Sequence, residues 1–199
     1  MYHIIIAGGS GTRFWPKSRK GQPKQLIDIL GQGTLIRHTV NRLKDLDSTK
    51  NIFIVASAPL CQKIQKEIPE IPWKNFIIEP DGKNTAPAVG LAALHIYKKD
   101  PQAVMGIYPS DHFISGKEKF KDIVRESEKV AAENSVLMTI GITPTHPATG
   151  YGYIQYDAKK NGLGKGVYRV KTFAEKPHLA AAKNFIRSGE FLWNSGIFI

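Results

Sequence analysis

Residues 2–13 read YHIIIAGGSGTR, an apolar segment that passes directly into a glycine-rich loop. An uninterrupted apolar run is typical of a strand that is covered on both faces. Glycines carry no side chain, so their backbone N–H groups can approach and wrap a phosphate chain. The stretch therefore predicts a first strand that ends in a phosphate-binding loop, although glycine also occurs in tight strand-to-helix turns and a glycine cluster alone is weak evidence.

Strand and helix patterns alternate along the rest of the chain, which predicts an α/β fold with a mainly parallel, mixed sheet between helices. The predicted strands are Tyr2–Ala7, Asn51–Ala56, Phe76–Glu79, Ala103–Tyr108 and Val136–Ile142. The predicted helices are Thr34–Lys44, Pro59–Glu67, Ala86–Lys98, Lys117–Glu133 and Leu179–Ser188. Period-two alternation at residues 150–156 and 167–173 adds a small β-rich insertion.

Composition narrows the class of protein. A chain of 199 residues is the size of one domain, and we expect a single domain over residues 1–199. The net charge of +11 comes from scattered basic residues rather than from a basic tail, so we expect no nucleic-acid partner. The apolar run 4–7 is far shorter than the roughly 20 residues that span a bilayer. With Cys61 as the single cysteine, these features favour a cytoplasmic protein without a membrane anchor.

The polar residues of interest follow predicted strands. Gly8–Arg13 follows the first strand, Glu79–Thr85 the third and Pro109–His112 the fourth. Ligands of open α/β sheets bind outside the carboxyl ends of the strands. We therefore expect these three loops to converge on one crevice.

Spacing excludes two better-known phosphate loops. A dinucleotide-binding G-x-G-x-x-G that starts at Gly9 would need glycine where Phe14 stands. A P-loop needs Ser or Thr after Gly-Lys, and none of the Gly-Lys pairs has one. Instead, the loop is accompanied by the cations Arg13 and Lys24, which suit the oxygens of a leaving pyrophosphate.

Several short segments together carry a family resemblance. They are AGGSGTRFWP at 7–16, PKQ at 23–25, EP at 79–80 with KNTAPA at 83–88, PSDH at 109–112, TGYGYI at 149–154, FAEKP at 173–177 and WNSG at 193–196. With these segments the chain resembles the nucleotide sugar pyrophosphorylases, and among them the mannose-1-phosphate guanylyltransferases. The resemblance implies a Rossmann-like nucleotide-diphospho-sugar transferase fold and transfer of GMP from GTP to mannose 1-phosphate, giving GDP-mannose and pyrophosphate.

The resemblance also implies a role for each motif residue. Nucleotide binding would involve Gly8, Gly9, Gly11, Thr12, Glu79, Asn84, Thr85 and Pro87. The catalytic residues would be Arg13, Lys24 and Asp111, with Asp111 also holding Mg²⁺, a hard cation that prefers carboxylate and phosphate oxygens. Mannose 1-phosphate would be bound by Gly150, Glu175, Lys176 and Asn194.

Structural alternatives accompany these roles. Asp111 could cap a helix or turn, residues 175–177 could form only a charged turn before the last helix, and Asn194 could cap a turn. Three functional alternatives also stay open: a pyrophosphorylase for another hexose 1-phosphate or nucleotide, a basic nucleic-acid-binding module suggested by the pI of about 9.7, and a non-catalytic relative.

The last apolar run, at Phe198–Ile199, resembles an unfinished strand, whereas the family continues beyond this point. By resemblance, the missing part would contain a further acidic residue that joins the motif aspartate on the metal. We therefore expect a catalytic domain truncated at its C-terminal end, with feeble or no activity alone. A following isomerase domain and the oligomeric state, a homodimer included, stay open.

Overall fold

A computed structural model describes residues 1–9, 11, 14–19, 21–29, 31–158, 163–164 and 166–199. The chain forms two compact units, one of Met1–Lys129 with Ile199 and the other of Val130–Phe198. The boundary falls inside a helix, where the sequence has no linker composition. The single domain over residues 1–199 stays a prediction.

The first unit is built on parallel strands. They are β1 (Tyr2–Ile6), β2 (Ile52–Ala56), β3 (Phe76–Ile78) and β4 (Met105–Pro109), in the spatial order β3-β2-β1-β4. β1 lies between its neighbours with His3 opposite both Ile52 and Gly106. All five residues of β2 are buried, as expected for a parallel strand covered on both faces.

Helices of the first unit connect and cover these strands. They are α1 (Leu35–Lys44), α2 (Ala58–Glu67), α3 (Thr85–Lys99) and α4 (Lys117–Asn134), the last of which continues into the second unit. α2 packs on β2 and β3, and α3 packs on β1 and β3. The Thr34 hydroxyl accepts a hydrogen bond from the Arg37 N–H at 3.3 Å and so caps the start of α1.

Antiparallel strands make up the second unit. They are β5 (Thr139–Ile142), β6 (Tyr153–Asp157), β7 (Arg169–Ala174) and β8 (Phe191–Phe198), with α5 (Leu179–Ser188) between β7 and β8. β8 pairs with both β5 and β6, and β6 also pairs with β7. Tyr153, Ala182 and Trp193 form a buried hydrophobic cluster in this unit.

The predicted mixed sheet is confirmed, since parallel and antiparallel pairs are both present. The main difference lies in β8, which begins at Phe191 and includes the whole WNSG segment. Sequence reasoning found only the last residues of this strand, because Asn194, Ser195 and Gly196 are poor strand formers. Pairing with neighbours on both sides overrides that preference. Among the helices described, none combines the length and the apolar composition that a membrane crossing requires.

Candidate active site

The glycine loop after β1 has a conformation that demands glycine. Gly9 and Gly11 have φ angles of 98° and 67°, in the left-handed region that side chains disfavour. A Cβ atom on Gly11 would lie 2.9 Å from the Cβ of Lys24, closer than real Cβ contacts. Gly11 is therefore required both by its backbone conformation and by the packing of Lys24 against it. The predicted residues Thr12 and Arg13 lie outside the described residues.

Gln25 holds the glycine loop through hydrogen bonds to its main chain. The sequence alone assigned no role to this residue. Its side chain is fully buried, and its Nε2 donates hydrogen bonds to the carbonyl oxygens of Ala7 and Gly8, at 3.2 and 3.1 Å. These bonds fix the last residue before the loop and its first glycine. The PKQ segment at 23–25 marks Gln25 as part of a motif, but only its hydrogen bonds to Ala7 and Gly8 in the folded chain show its role.

Lys24 and Asp111 meet beside the glycine loop. The Lys24 Nζ donates directly to the Asp111 Oδ2, and the two side chains are 21% and 20% exposed. Asp111 does not cap a helix, because α4 begins only at Lys117. The structure thus brings a catalytic candidate from the PKQ segment onto the carboxylate that follows β4.

The surroundings of His112, the residue after Asp111, lower the pKa of its imidazole. Burial lowers the pKa of His112 below its ordinary 6.5, and the positive charges of Arg42 and Lys24 act in the same direction. The Asp111 carboxylate opposes this shift without reversing it. His112 is therefore neutral at neutral pH and adds no cation beside Asp111.

Glu79 joins the glycine loop from the end of β3. Its backbone N–H donates to the Ala56 carbonyl oxygen at 2.9 Å, and its Oε2 lies 3.8 Å from the position that a Cβ on Gly8 would take. With the Lys24–Asp111 contact, this confirms for the described residues that loops after β1, β3 and β4 lie together. The carboxylate of Glu79 therefore lies beside a residue that has no side chain.

The start of α3 is exposed. Asn84, its N-cap residue, has φ 68° and ψ −168°, a conformation otherwise almost reserved for glycine, and its side chain makes no capping hydrogen bond. Thr85 and Pro87 occupy the first turn and are exposed. Among the described residues, no side-chain hydrogen bond links these three to the glycine loop, so their predicted role in nucleotide binding stays a prediction.

A second group of candidate residues lies in the second unit, around Gly152. The Asn194 N–H donates to the Gly152 carbonyl oxygen at 2.8 Å. A Cβ on Gly152 would lie 2.9 Å from the Glu175 Oε2 and 3.8 Å from the Asn194 Nδ2. Glu175 and Asn194 thus flank a position that has no side chain. Gly152 was not among the predicted site residues, whereas a Cβ on the predicted Gly150 would meet nothing within 4 Å.

Local contacts hold the polar groups of this second site. The Lys176 Nζ forms an ion pair with the Glu175 Oε1 at 2.7 Å, and both side chains are exposed. The Asn194 Oδ1 accepts a hydrogen bond from the Gly196 N–H at 2.9 Å, as the capping alternative requires. Its Nδ2 lies on the side of Gly152, so the role of Asn194 in binding the sugar stays a prediction.

The first unit thus combines a parallel sheet, a glycine loop after its first strand and a lysine–aspartate pair beside that loop, an arrangement typical of α/β proteins that bind ligands at the carboxyl ends of their strands. Residues 2–199 match the nucleotidyl transferase family, and the chain belongs to that family. The predicted pyrophosphorylase-type family and fold are confirmed by this match and by the relatives that follow.

Two curated relatives and one solved structure illustrate the similarity. A mannose-1-phosphate guanylyltransferase of Klebsiella pneumoniae is 37% identical over 198 residues, which cover 98% of this chain and 42% of the relative. The xanthan biosynthesis protein XanB of Xanthomonas campestris pv. campestris is 38% identical over 198 residues, covering 98% and 41%. A crystal structure described as a mannose-1-phosphate geranyltransferase from Thermus thermophilus has a TM-score of 0.85 at 31% identity, covering 99% of this chain and 56% of that one. The chain spans about two fifths of the length of these curated relatives.

Proposed function

We propose that this chain supplies the nucleotidyl-transfer site of an enzyme that moves GMP from GTP to mannose 1-phosphate, releasing pyrophosphate and forming GDP-mannose. The observation that carries the choice of substrates is the 37% identity, over 98% of the chain, to a relative named for this activity. The geometry supports the class of reaction, since a cation and a carboxylate stand together at a glycine loop.

The triphosphate is the ligand that the first unit suits. Gly8, Gly9 and Gly11 present backbone without side chains, and an ammonium group lies beside them on Lys24. We assign the β- and γ-phosphates to Lys24 and Arg13, because cations near those oxygens stabilise the charge that develops on pyrophosphate as it leaves. Glu79, which is partly exposed beside Gly8, would accept from the N–H edge of guanine.

Mg²⁺ is the metal that we assign to Asp111. Within the described part of the chain, no group of three or more His, Cys, Asp and Glu side chains could hold a metal. Mg²⁺ is commonly held by one or two carboxylates together with substrate phosphates, so a single partly exposed carboxylate fits it. When bound, the ion would neutralise charge on the triphosphate.

No general base is required of the protein. The attacking oxygen of a sugar phosphate is already an anion, so the chain needs only to hold the reactants in line and to compensate charge. The Lys24 ammonium is the cation that contacts Asp111. The reaction then depends on positioning by the glycine loop and on the Lys24 ammonium.

The sugar phosphate is assigned to the second unit. Glu175 and the Asn194 Nδ2, both beside Gly152, offer an acceptor and a donor that could hydrogen-bond hydroxyls of a hexose. Lys176 would meet the phosphate, and Gly150 would allow its backbone to approach the sugar. The two units would therefore bind the two substrates.

We also propose that the protein acts in the cytoplasm. Its single cysteine, Cys61, is buried with its thiol directed to the Ala56 carbonyl oxygen at 3.4 Å, and burial raises its pKa to about 11. Such a thiol is an inert core group and is unsuited to disulfide formation. GTP and mannose 1-phosphate are therefore proposed as intracellular substrates.

The test is a matrix of nucleoside triphosphates and hexose 1-phosphates. The protein that contains this chain, at its natural length, is assayed with Mg²⁺ for nucleotide sugar and pyrophosphate. GTP with mannose 1-phosphate should exceed every other pair by about 100-fold or more in kcat/KM. Preference for UTP or dTTP with glucose 1-phosphate would replace the substrates and keep the reaction class.

Matched lysine variants connect the activity to the site. Lys24→Met should lower kcat by about 100-fold or more, because the charge on departing pyrophosphate loses a partner. Lys98→Met, at the opposite end of α3 from Asn84, should retain the parent rate. Equal activity of the two variants would contradict the site assignment. Salt-dependent RNA binding without any nucleotide-sugar product would favour the nucleic-acid alternative.

A further inference from the structure

Arg42, on α1, is a buried cation that lies behind the Asp111 loop. Its side chain is 7% exposed, and its Nη1 and Nη2 donate to the carbonyl oxygen of His112 at 3.4 and 3.3 Å. Both long bonds converge on one acceptor, in the residue directly after Asp111. The loop that carries the proposed metal ligand is thus held to α1 through its main chain.

Other contacts fix the guanidinium itself. Its Nη2 also donates to the Thr39 Oγ1 at 3.2 Å, one turn earlier on α1, and its Cζ lies 5.3 Å from the ring centroid of Phe120. The hydroxyl of Thr39 donates in turn to the Leu35 carbonyl oxygen at 3.2 Å. The guanidinium is therefore held at several points before it reaches His112.

The positive charge of Arg42 is buried beside a hydroxyl group and an aromatic ring. Among the described residues, no acidic oxygen lies within 4.0 Å of its guanidinium. Burial lowers its pKa to about 10, so the group stays protonated at neutral pH. Burying an unpaired charge is costly, and a methionine of similar length would fill the same space without that cost. Stability alone does not account for an arginine here.

The same face of α1 supports the loop at a second point. The ring of His38, one turn before Arg42, meets the ring of Phe113 edge-on with centroids 6.1 Å apart. Two adjacent turns of α1 therefore contact the two residues that follow Asp111. The capped helix α1 therefore provides a rigid element against which this loop packs.

We infer that Arg42 is a positioning residue, which fixes the main chain of the Asp111 loop so that the carboxylate is presented to Mg²⁺ and the triphosphate. The inference rests on the proposed function for its kinetic part only. The forked guanidinium suits the role because its Nη1 and Nη2 both donate to the His112 carbonyl oxygen while Nη2 also reaches Thr39, whereas a lysine ammonium offers a single nitrogen.

The test compares three variants of the natural-length protein. Arg42→Met removes charge and donors while keeping the apolar stem, and Arg42→Lys keeps the charge but loses the fork. Arg37→Met is the matched control, because Arg37 lies on the same helix and pairs with Glu70 at 2.6 Å instead. If Arg42→Met fails to fold, Arg42→Lys alone tests the role of Arg42 against the Arg37→Met control.

Amide hydrogen exchange provides the readout that is independent of activity. In Arg42→Met, exchange of residues 110–114 should be at least roughly tenfold faster than in the parent, while the strands keep their protection. Arg42→Lys should lie between the two, and Arg37→Met should match the parent. Parent-like exchange of residues 110–114 in the Arg42 variants would overturn the inference.

Kinetics supply the second readout. With Arg42→Met, kcat should fall about 10- to 100-fold and the Mg²⁺ concentration for half-maximal rate should rise about tenfold, with KM for mannose 1-phosphate unchanged. A uniform loss of activity with an unchanged Mg²⁺ requirement would indicate a merely structural arginine and overturn the inference. If the parent makes no GDP-mannose, the proposed function fails, and the exchange measurement alone decides the role of Arg42.

Discussion

Replacing Gln25 by methionine tests whether the hydrogen bonds of its side chain hold the glycine loop in place. The variant keeps the length of the side chain and removes the Nε2 donor that serves the carbonyl oxygens of Ala7 and Gly8. Two buried hydrogen bonds are lost, each worth about 1 kcal/mol net. The Gln25 Oε1 has no partner among the described residues, so its removal returns about 1 kcal/mol. The free energy of unfolding should therefore fall by only about 1 kcal/mol.

Gln65 offers a matched control in α2. Its Nε2 donates one bond to the Ile71 carbonyl oxygen at 3.1 Å, and its buried Oε1 also has no partner in the described part of the chain. Gln65→Met loses one bond and removes one unpaired atom, so its free energy of unfolding should be nearly unchanged. Urea denaturation of both variants measures this difference.

We also expect Gln25→Met to weaken the binding of GTP. If the carbonyls of Ala7 and Gly8 turn freely, the loop amides lose their orientation, and the loss of about one charge-assisted hydrogen bond weakens GTP binding roughly tenfold. Calorimetric titration with GTP should show this for Gln25→Met and not for Gln65→Met. Equal GTP affinity of the two variants would refute the reasoning.

The remaining predictions concern three other positions. Gly11→Ala forces a side chain at φ 67° and 2.9 Å from the Lys24 Cβ, so stability should fall by about 1–2 kcal/mol in urea and kcat should fall with it. Gly152→Ala places a methyl group 2.9 Å from the Glu175 Oε2, and steady-state kinetics should show a KM for mannose 1-phosphate raised about tenfold with KM for GTP unchanged. Burial lowers the pKa of His3 from 6.5 to about 4, so the unfolded chain takes up its proton first as the pH falls. Stability should be complete above pH 6.5 and about 3 kcal/mol lower at pH 4, a loss that denaturation should find reduced in His3→Gln.

Several helices and strands could be predicted because short sequence patterns determine their position. β2 is a continuous apolar segment, and α1 begins at a threonine that caps it, so both were found to within a residue or two. β8 was mostly missed because WNSG has the composition of a turn. Its strand conformation depends on β5 and β6, which lie far from it in the sequence.

For the site residues, too, the sequence predicted what local motifs determine and missed what depends on contacts between distant segments. Lys24 and Asp111 are 87 positions apart, and the rule for carboxyl ends of parallel strands, together with the motifs, predicted that their loops converge. The direct contact between the two side chains was not predictable from either segment. Gln25, Arg42 and Gly152 were overlooked because each acts on backbone or on strand neighbours that only the folded chain brings near.

In the proposed site, the contact between Lys24 and Asp111 would couple the binding of nucleotide to the binding of cation. A divalent ion that reaches Asp111 alone must displace an ammonium group and leave it without its partner. A bound triphosphate would offer that ammonium new oxygens, so its arrival would free the carboxylate. By linkage each ligand then strengthens the other by the same factor, and Mg²⁺ and GTP should bind cooperatively, each weakly when alone.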